Sequence, residues 1–251
     1  MRAAGEEAWP LTSSHAPFLR LAEIPEPEDG ELEETADGLQ QILALDDLKG
    51  EKLPAWAAFE LGLVRARQRD KVAANAAWRQ AMATDDPEYA PRAACFLAVG
   101  YQQDEDWVRA REAWQFALDS GNTRYLAAAL LGLGMVAQQQ DEVEEAIGHW
   151  ERAVGSRDPE FSGRAAVMLA CRHLERGEYD KAEAAFCHVL EIGNDEFRPL
   201  ALLGLGVGNY EQGDFAEAIE YLGAAAESAD PRLLPLVEDY RAEALRRSKV
   251  G

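Results

Sequence analysis

Cys171, His173, Cys187 and His188 lie close enough in sequence to raise a metal site, and Glu175 with Glu211 raise paired-carboxylate acid–base chemistry. A tetrahedral metal needs its ligands to converge. Helical geometry instead sends positions 171 and 173 to different faces and directs Cys187 and His188 away from both. Two carboxylates do acid–base work only when their environments separate their pKa values. Neither a Ser/His/Asp set nor a phosphate loop accompanies Glu175 and Glu211, which read as an acidic rim orienting a basic ligand segment. His149, beside Trp150, reads as a surface or partly buried histidine. The expectation is a chain that is not an enzyme and binds neither metal nor cofactor.

The elements carrying these residues follow from one period. Leu61, Leu97, Leu133, Leu169 and Leu205 stand 36 residues apart, each followed by Gly or Ala. Ala74, Ala110, Ala146, Ala182 and Ala218 keep the same interval, with Trp78, Trp114, Trp150, Phe186 and Leu222 four residues later. Three positions further come Ala81, Ala117, Ala153, Val189 and Ala225, the next inward position of a helix. Within each unit the helical pattern breaks at Arg69-Asp70, Glu105-Asp106, Asp141-Glu142, Gly177-Glu178 and Gly213-Asp214, which predicts a tight turn between two antiparallel helices. Between units, Asp86-Pro87, Asn122-Thr123, Asp158-Pro159, Asn194-Asp195 and Asp230-Pro231 supply capping and helix-start chemistry. Pro91, Pro199 and Pro235 share the register of a first helical turn. The unit is helix, turn, helix, loop, and units of this length stack along a continuous core.

Leu-Gly, then Ala at plus twelve from the Gly, then an aromatic and Ala: this pattern resembles the tetratricopeptide repeat, and five successive copies carry it. The 36-residue period exceeds the family's usual 34 by two, and the extra pair falls in the loop between units. Sel1-like relatives share the length but fit the inner spacing less well. The resemblance implies an all-α, right-handed α-solenoid of five helix-turn-helix repeats over residues 50–230. In it, small residues at the Gly62 and Ala74 registers let helix backbones approach, while the Trp78-type aromatic fills the wedge between one pair and the next.

The ends depart from the repeat. Residues 231–251 open like another first helix, with Leu233, Leu236, Val237, Tyr240 and Ala244 on one apolar face and Arg241 at the Leu position. This reads as a cap with an arginine-bearing outer face. Residues 31–49 read as an isolated second helix with Gly38 at the Ala74 register and Ile42 at the Trp78 register, capping the other end. Residues 1–30 form an arm, irregular or disordered, because Pro10, Pro17, Pro25 and Pro27 exclude a regular helix pair. Its first part holds Trp9, Leu11, Phe18, Leu19, Leu21 and Ile24, and its second part is acidic.

Composition limits the function classes. A formal charge of −21 and a pI near 4.5 repel phosphate backbones and anionic lipid, so neither nucleic acid nor membrane is an expected partner. No apolar run approaches the ~18 residues of a membrane span. The N-terminal Met-Arg-Ala-Ala-Gly-Glu-Glu has acids where a signal peptide has a basic region. Three cysteines without a Cys-x-x-Cys pair fit the reducing cytoplasm rather than a disulfide framework. The Ala-, Glu- and Arg-rich usage resembles that of bacterial chains from high-GC genomes.

Members of the resembled family usually hold a partner on the concave surface lined by each first helix. Carried across, those positions are Trp56, Phe59 and Leu63; Arg92, Cys95 and Val99; Leu131, Met135 and Gln138; Arg164, Val167 and Cys171; and Leu203, Val207 and Tyr210. The basic clamp that chaperone-adaptor members use for a terminal carboxylate is absent, since Phe59, Leu63, Cys95 and Val99 stand there. An apolar groove of this extent marks a binding surface. The implied function is a non-enzymatic scaffold or adaptor holding a partner peptide or helix. The alternatives are a groove filled by tight curvature or by the chain's own arm, or a homo-oligomer through the same surface, with the acidic convex side contacting a basic partner.

Overall fold

A computed structural model describes residues 29–44, 52–84, 86–156, 158–228 and 231–249. Among the described residues there are twelve α-helices and no strand. In order they are α1 (Asp29–Leu43), α2 (Lys52–Arg67), α3 (Lys71–Met82), α4 (Tyr89–Gln103), α5 (Trp107–Asp119), α6 (Thr123–Gln139), α7 (Val143–Val154), α8 (Pro159–Glu175), α9 (Tyr179–Ile192), α10 (Arg198–Gln212), α11 (Phe215–Ser228) and α12 (Leu234–Arg247). They divide into two compact units, one ending at Ala146 and the other beginning at Ile147.

The turns within the hairpins share one construction. Arg69, Glu105, Asp141, Gly177 and Gly213 all have positive φ, between 56° and 91°. In each case the next residue's N–H reaches back to the carbonyl five positions earlier: Asp70 to Arg65, Asp106 to Tyr101, Glu142 to Ala137, Glu178 to His173, and Asp214 to Asn209. This is the Schellman closure, in which one left-handed residue satisfies the last carbonyls of a helix. Asp70 and Asp106 then cap the following helix by accepting from Ala73 and Arg109 N–H. Glycine suits the left-handed position, yet Arg69, Glu105 and Asp141 occupy it. Glu105→Gly, at an exposed site, is therefore expected to stabilise the chain by roughly 0.5–1 kcal/mol. That is the ~1–2 kcal/mol of left-handed strain less glycine's larger unfolded-state entropy. A urea midpoint measurement reads it.

The loops between hairpins behave as the capping chemistry requires. The carboxylate of Asp86 accepts from Glu88 and Tyr89 N–H, that of Asp158 from Glu160 and Phe161 N–H, and Asn122 and Asn194 accept from Arg124 and Glu196 N–H.

The periodic positions form the core. The Leu61 and Ala81 registers are buried at all five positions, and so is the Ala74 register. In the first unit α2 packs on α3, α3 on α4, α4 on α5 and α5 on α6. The glycines take an indole or a ring rather than a second backbone. A Cβ on Gly62 would lie 2.2 Å from Trp78 Nε1, and one on Gly132 would lie 2.2 Å from Trp114 Cε2. Trp78 thus rests on its own hairpin's first helix and also meets Phe96 of the next, ring centroids 5.2 Å apart. In the second unit Phe186 of α9 presses on Gly204 of α10, where a Cβ would come within 2.1 Å.

At the ends the structure shifts the expected register. On α1 the inward stripe is Leu32, Ala36 and Leu39, joined by half-buried Ile42 and Leu43. Gly38 has nothing within 4 Å of a notional Cβ. With no preceding hairpin to pack against, this helix turns only the face that meets α2. On α12 Val237 and Ala244 are buried but Leu236 is exposed, since it flanks the stripe 233–237–240–244. Arg241 is half-buried beside Gly223 of α11 instead of facing outward.

Candidate functional site

In the first unit the inner face is built by α2, α4 and α6. Phe59, Cys95 and Leu131, at one register, are completely buried, and Leu63 and Val99 nearly so. Trp56, Arg92, Met135 and Gln138 are half-buried at its edge. The Arg92 guanidinium sits 4.4 Å from the Phe59 ring centroid, with Tyr89 and Phe96 at 6.0 and 5.4 Å from the same ring. This stack fixes a charged edge above an apolar floor. In the second unit α8 and α10 repeat the arrangement. Val167, Cys171, Leu203 and Val207 are buried, Arg164 and Tyr210 half-buried, and the Arg164 guanidinium lies 5.4 Å from the Phe197 centroid and 3.4 Å from Glu196. Tyr210 sits between Phe215 and Tyr240, with Arg247 over its ring.

The first helices are covered on more than their packing faces. On α4 every residue from Ala90 to Gln102 except Arg92 is buried, and on α10 every residue from Leu200 to Gly208. A helix buried all round has no face left to water.

One cavity of about 160 Å³ opens on this face in the first unit, lined by Leu32, Thr35 and Leu39 of α1 and by Trp56, Glu60, Leu63, Val64 and Arg67 of α2. It brings the expected Trp56 and Leu63 together with residues of α1. Burial pushes the Glu60 carboxyl up from its ordinary value, and the charges of Arg92 and Arg67 oppose that shift. Neither Glu60 nor Arg67 is legible as a site residue from the repeat pattern, because the half-unit α1 creates their surroundings. A further register escapes the motif. Tyr89, Tyr125, Phe161 and Phe197 recur at 36 residues, and Phe59 meets the first of them. The aromatic period alone would have revealed it.

The candidate chemistry disperses. His173 is buried with Nδ1 2.8 Å from Glu178, His188 Nε2 lies 3.4 Å from Ser162 Oγ, and Cys187 stands among Glu183 and Glu191. Among the described residues no group of three His, Cys, Asp or Glu side chains is placed to hold a metal. Burial raises the Cys95 thiol and pushes Cys171 to about 12, which keeps both as neutral packing groups. Glu175 pairs with Arg172 at 2.7 Å, within α8.

Glu178 has a structural use instead. Lys181, His173 and Arg176 converge on it at 2.8–2.9 Å, and hydrogen bonding from Lys181, chief among these, holds its carboxyl down to about 2 against an ordinary 4.5. A depressed carboxylate stabilises the fold above its unfolded value and loses that contribution as pH falls through its folded one. Glu178→Gln should therefore cost stability at about pH 5 and much less near about pH 2.5, so that the urea midpoints of the two proteins converge on acidification.

Paired antiparallel helices, joined by Schellman turns and repeating at 36 residues, define a helix-hairpin repeat protein. The chain belongs to the tetratricopeptide repeat family: the family model matches residues 97–160 and 167–232, together just over half of its length. No curated protein matches it by sequence. Among solved structures it is similar to YrrB, described as a TPR protein with an unusual peptide-binding site, at 19% identity over 81% of this chain and 98% of that one, TM-score 0.60. It is similar also to MamA, at 21% identity over 70% and 91% of the two chains, TM-score 0.58. The Pseudomonas aeruginosa protein pilF matches at 22% identity over 80% and 93%, TM-score 0.59. At these identities the likeness shows the fold: an all-α tetratricopeptide solenoid, of a family whose members generally serve as protein-interaction scaffolds. No described helix is long and apolar enough to cross a membrane.

Proposed function

We propose that the chain is a non-enzymatic adaptor that holds an amphipathic helix or extended segment of a partner protein on the inner face of its first helices. One observation carries the reading: an apolar floor at the Phe59, Cys95 and Leu131 register, with a guanidinium stacked on an aromatic ring beside it in each unit. Such an arrangement suits apolar anchors flanked by acidic groups, since the arginines are held in place before a ligand arrives and lose little entropy on binding it. The same reading takes residues 50–230 as five repeats between caps at 31–49 and 231–251, working in the cytoplasm.

The test compares partner capture by native protein with that by Met135→Asp and Arg92→Glu, two half-buried edge positions whose exchange leaves the floor intact. Val72→Asp, on an exposed outer position, is the control. The expected result is at least a tenfold loss of capture for the inner-face variants at unchanged helix content, the ~1.4 kcal/mol scale of one anchor. Folded inner-face variants that capture as well as Val72→Asp sink the proposal. A second reading, in which the inner face is filled by the chain itself, is favoured by the all-round burial of α4.

A further inference from the structure

We infer that residues 1–28 are a built-in ligand for the inner face of α2, α4 and α6, which an external partner must displace. The inference rests on the inner face being the binding surface and names its resident occupant. Those residues lie outside the described ones, and four observations point to them.

Connectivity comes first. Helix α1 starts at Asp29, and its Leu32, Thr35 and Leu39 form one wall of the 160 Å³ cavity. The segment preceding Asp29 therefore departs from the cavity's own wall and reaches it at the millimolar effective concentrations typical of a short tether. Reach is ample: 28 extended residues span up to about 90 Å, whereas three neighbouring first helices at ~8–10 Å spacing occupy less than about 30 Å.

Size comes second. A cavity of about 160 Å³ lined by Leu, Trp and Val is of the order that admits one benzene-sized group. The segment offers Phe18, Leu19, Leu21 and Ile24 ahead of Pro25 and Pro27, and prolines hold the following stretch extended at low entropic cost.

Charge comes third. In a chain of net charge −21, the inner face of the first unit carries Arg67 and Arg92, whose fields both act on Glu60. The segment ends in Glu26 and Glu28, acids placed just after its apolar residues. Apolar anchor then acidic end matches apolar floor then guanidinium edge.

The fourth observation is an orphan. Tyr125 is fully buried at the start of α6, and its hydroxyl has no hydrogen-bond partner among the described residues. Burial raises its pKa, while the nearby charges of Arg92 and Arg124 oppose the shift. A buried O–H left unpaired costs free energy that an incoming backbone carbonyl recovers.

The functional consequence is competition. A tethered occupant keeps the apolar floor from water and from unselective contacts, and only a partner that binds more tightly than the tethered segment opens it.

The experiment uses the full chain with p-benzoyl-phenylalanine at Phe18, and separately at Leu21, irradiated at dilute concentration and mapped by peptide mass spectrometry. Intramolecular crosslinks to α2, α4 or α6 are expected, with yields falling at least fivefold in Arg67→Glu/Arg92→Glu and on addition of excess synthetic peptide spanning residues 9–28. Backbone amide exchange of residues 18–24 in unlabelled protein should accelerate at least tenfold in the same double variant. Crosslinks to outer residues of α3 and α5 or to other copies, or amides that exchange at the unprotected rate in the native chain, overturn the inference. If that happens while Met135→Asp still abolishes partner capture, the adaptor reading survives without its built-in ligand. If partner capture is also indifferent to Met135→Asp, both fail.

Discussion

Trp114→Ala is expected to lower stability by about 3–5 kcal/mol, at the upper end of that range for a truncated buried aromatic. Trp114 is completely buried between its own hairpin and α6, and a ring at this position leaves room for nothing larger than the hydrogen of Gly132. Its indole N–H donates to the side-chain oxygen of Gln102, itself buried, at 3.2 Å. Truncation therefore opens a cavity and strands an amide acceptor, and the two costs add. Trp150 is buried to the same extent, but its indole N–H has no hydrogen-bond partner among the described residues. Trp150→Ala should cost less than Trp114→Ala by roughly 1 kcal/mol, the net worth of one hydrogen bond. Phe116→Ala, on the outer side of the same helix as Trp114, should fall within about ±0.5 kcal/mol, as exposed substitutions do. Urea midpoints order the three. Equal losses at Trp114 and Phe116 would mean that the periodic aromatic does not hold the stack.

The same comparison explains why so much of the fold is legible in the sequence. A buried register must be filled by the same kind of residue in every copy, so packing residues repeat and periodicity finds them. The Leu61, Ala74 and Ala81 registers are of this kind, and all are buried. Turn residues are legible for a different reason: one position per hairpin must be left-handed, and the expected pairs at 69–70, 105–106, 141–142, 177–178 and 213–214 coincide with the positive-φ residues. The end helices are less legible because they lack a neighbour on one side. Without it, α1 turns Leu32, Ala36 and Leu39 inward where the repeat would place Gly38 and Ile42. The glycines were read as points of backbone approach, yet at Gly62, Gly132 and Gly204 the neighbour is an aromatic ring. A one-dimensional pattern gives the size of the gap but not the identity of what enters it. The candidate site is legible only by analogy with the family. Glu60, Arg67 and Tyr125 join it through contacts made by α1 and by the start of α6, which no repeat position encodes.

Gly132→Ala should destabilise the chain by roughly 1–3 kcal/mol although alanine is the better helix former, and Gly148→Ala should stabilise it. Both glycines lie inside helices, where exchange for alanine gains about 1 kcal/mol from backbone entropy and hydration. At Gly148 of α7 a Cβ meets nothing within 4 Å, so that gain is realised. At Gly132 the Cβ would stand 2.2, 2.5 and 2.5 Å from three atoms of the Trp114 indole, far inside van der Waals contact. The ring cannot swing aside, because it is fully buried and tied to Gln102 through its N–H. Relief must come from α5 and α6 moving apart, which loosens the packing that the buried aromatic provides and outweighs the helix-propensity gain. If the clash with Trp114 is the cause, Gly132→Ala should cost much less in a Trp114→Leu background, where the side chain is smaller and flexible. A double-mutant cycle in urea then returns a coupling of about 1–3 kcal/mol. Additive losses would place the damage elsewhere than the Trp114–Gly132 contact and would remove the reason for glycine at that position.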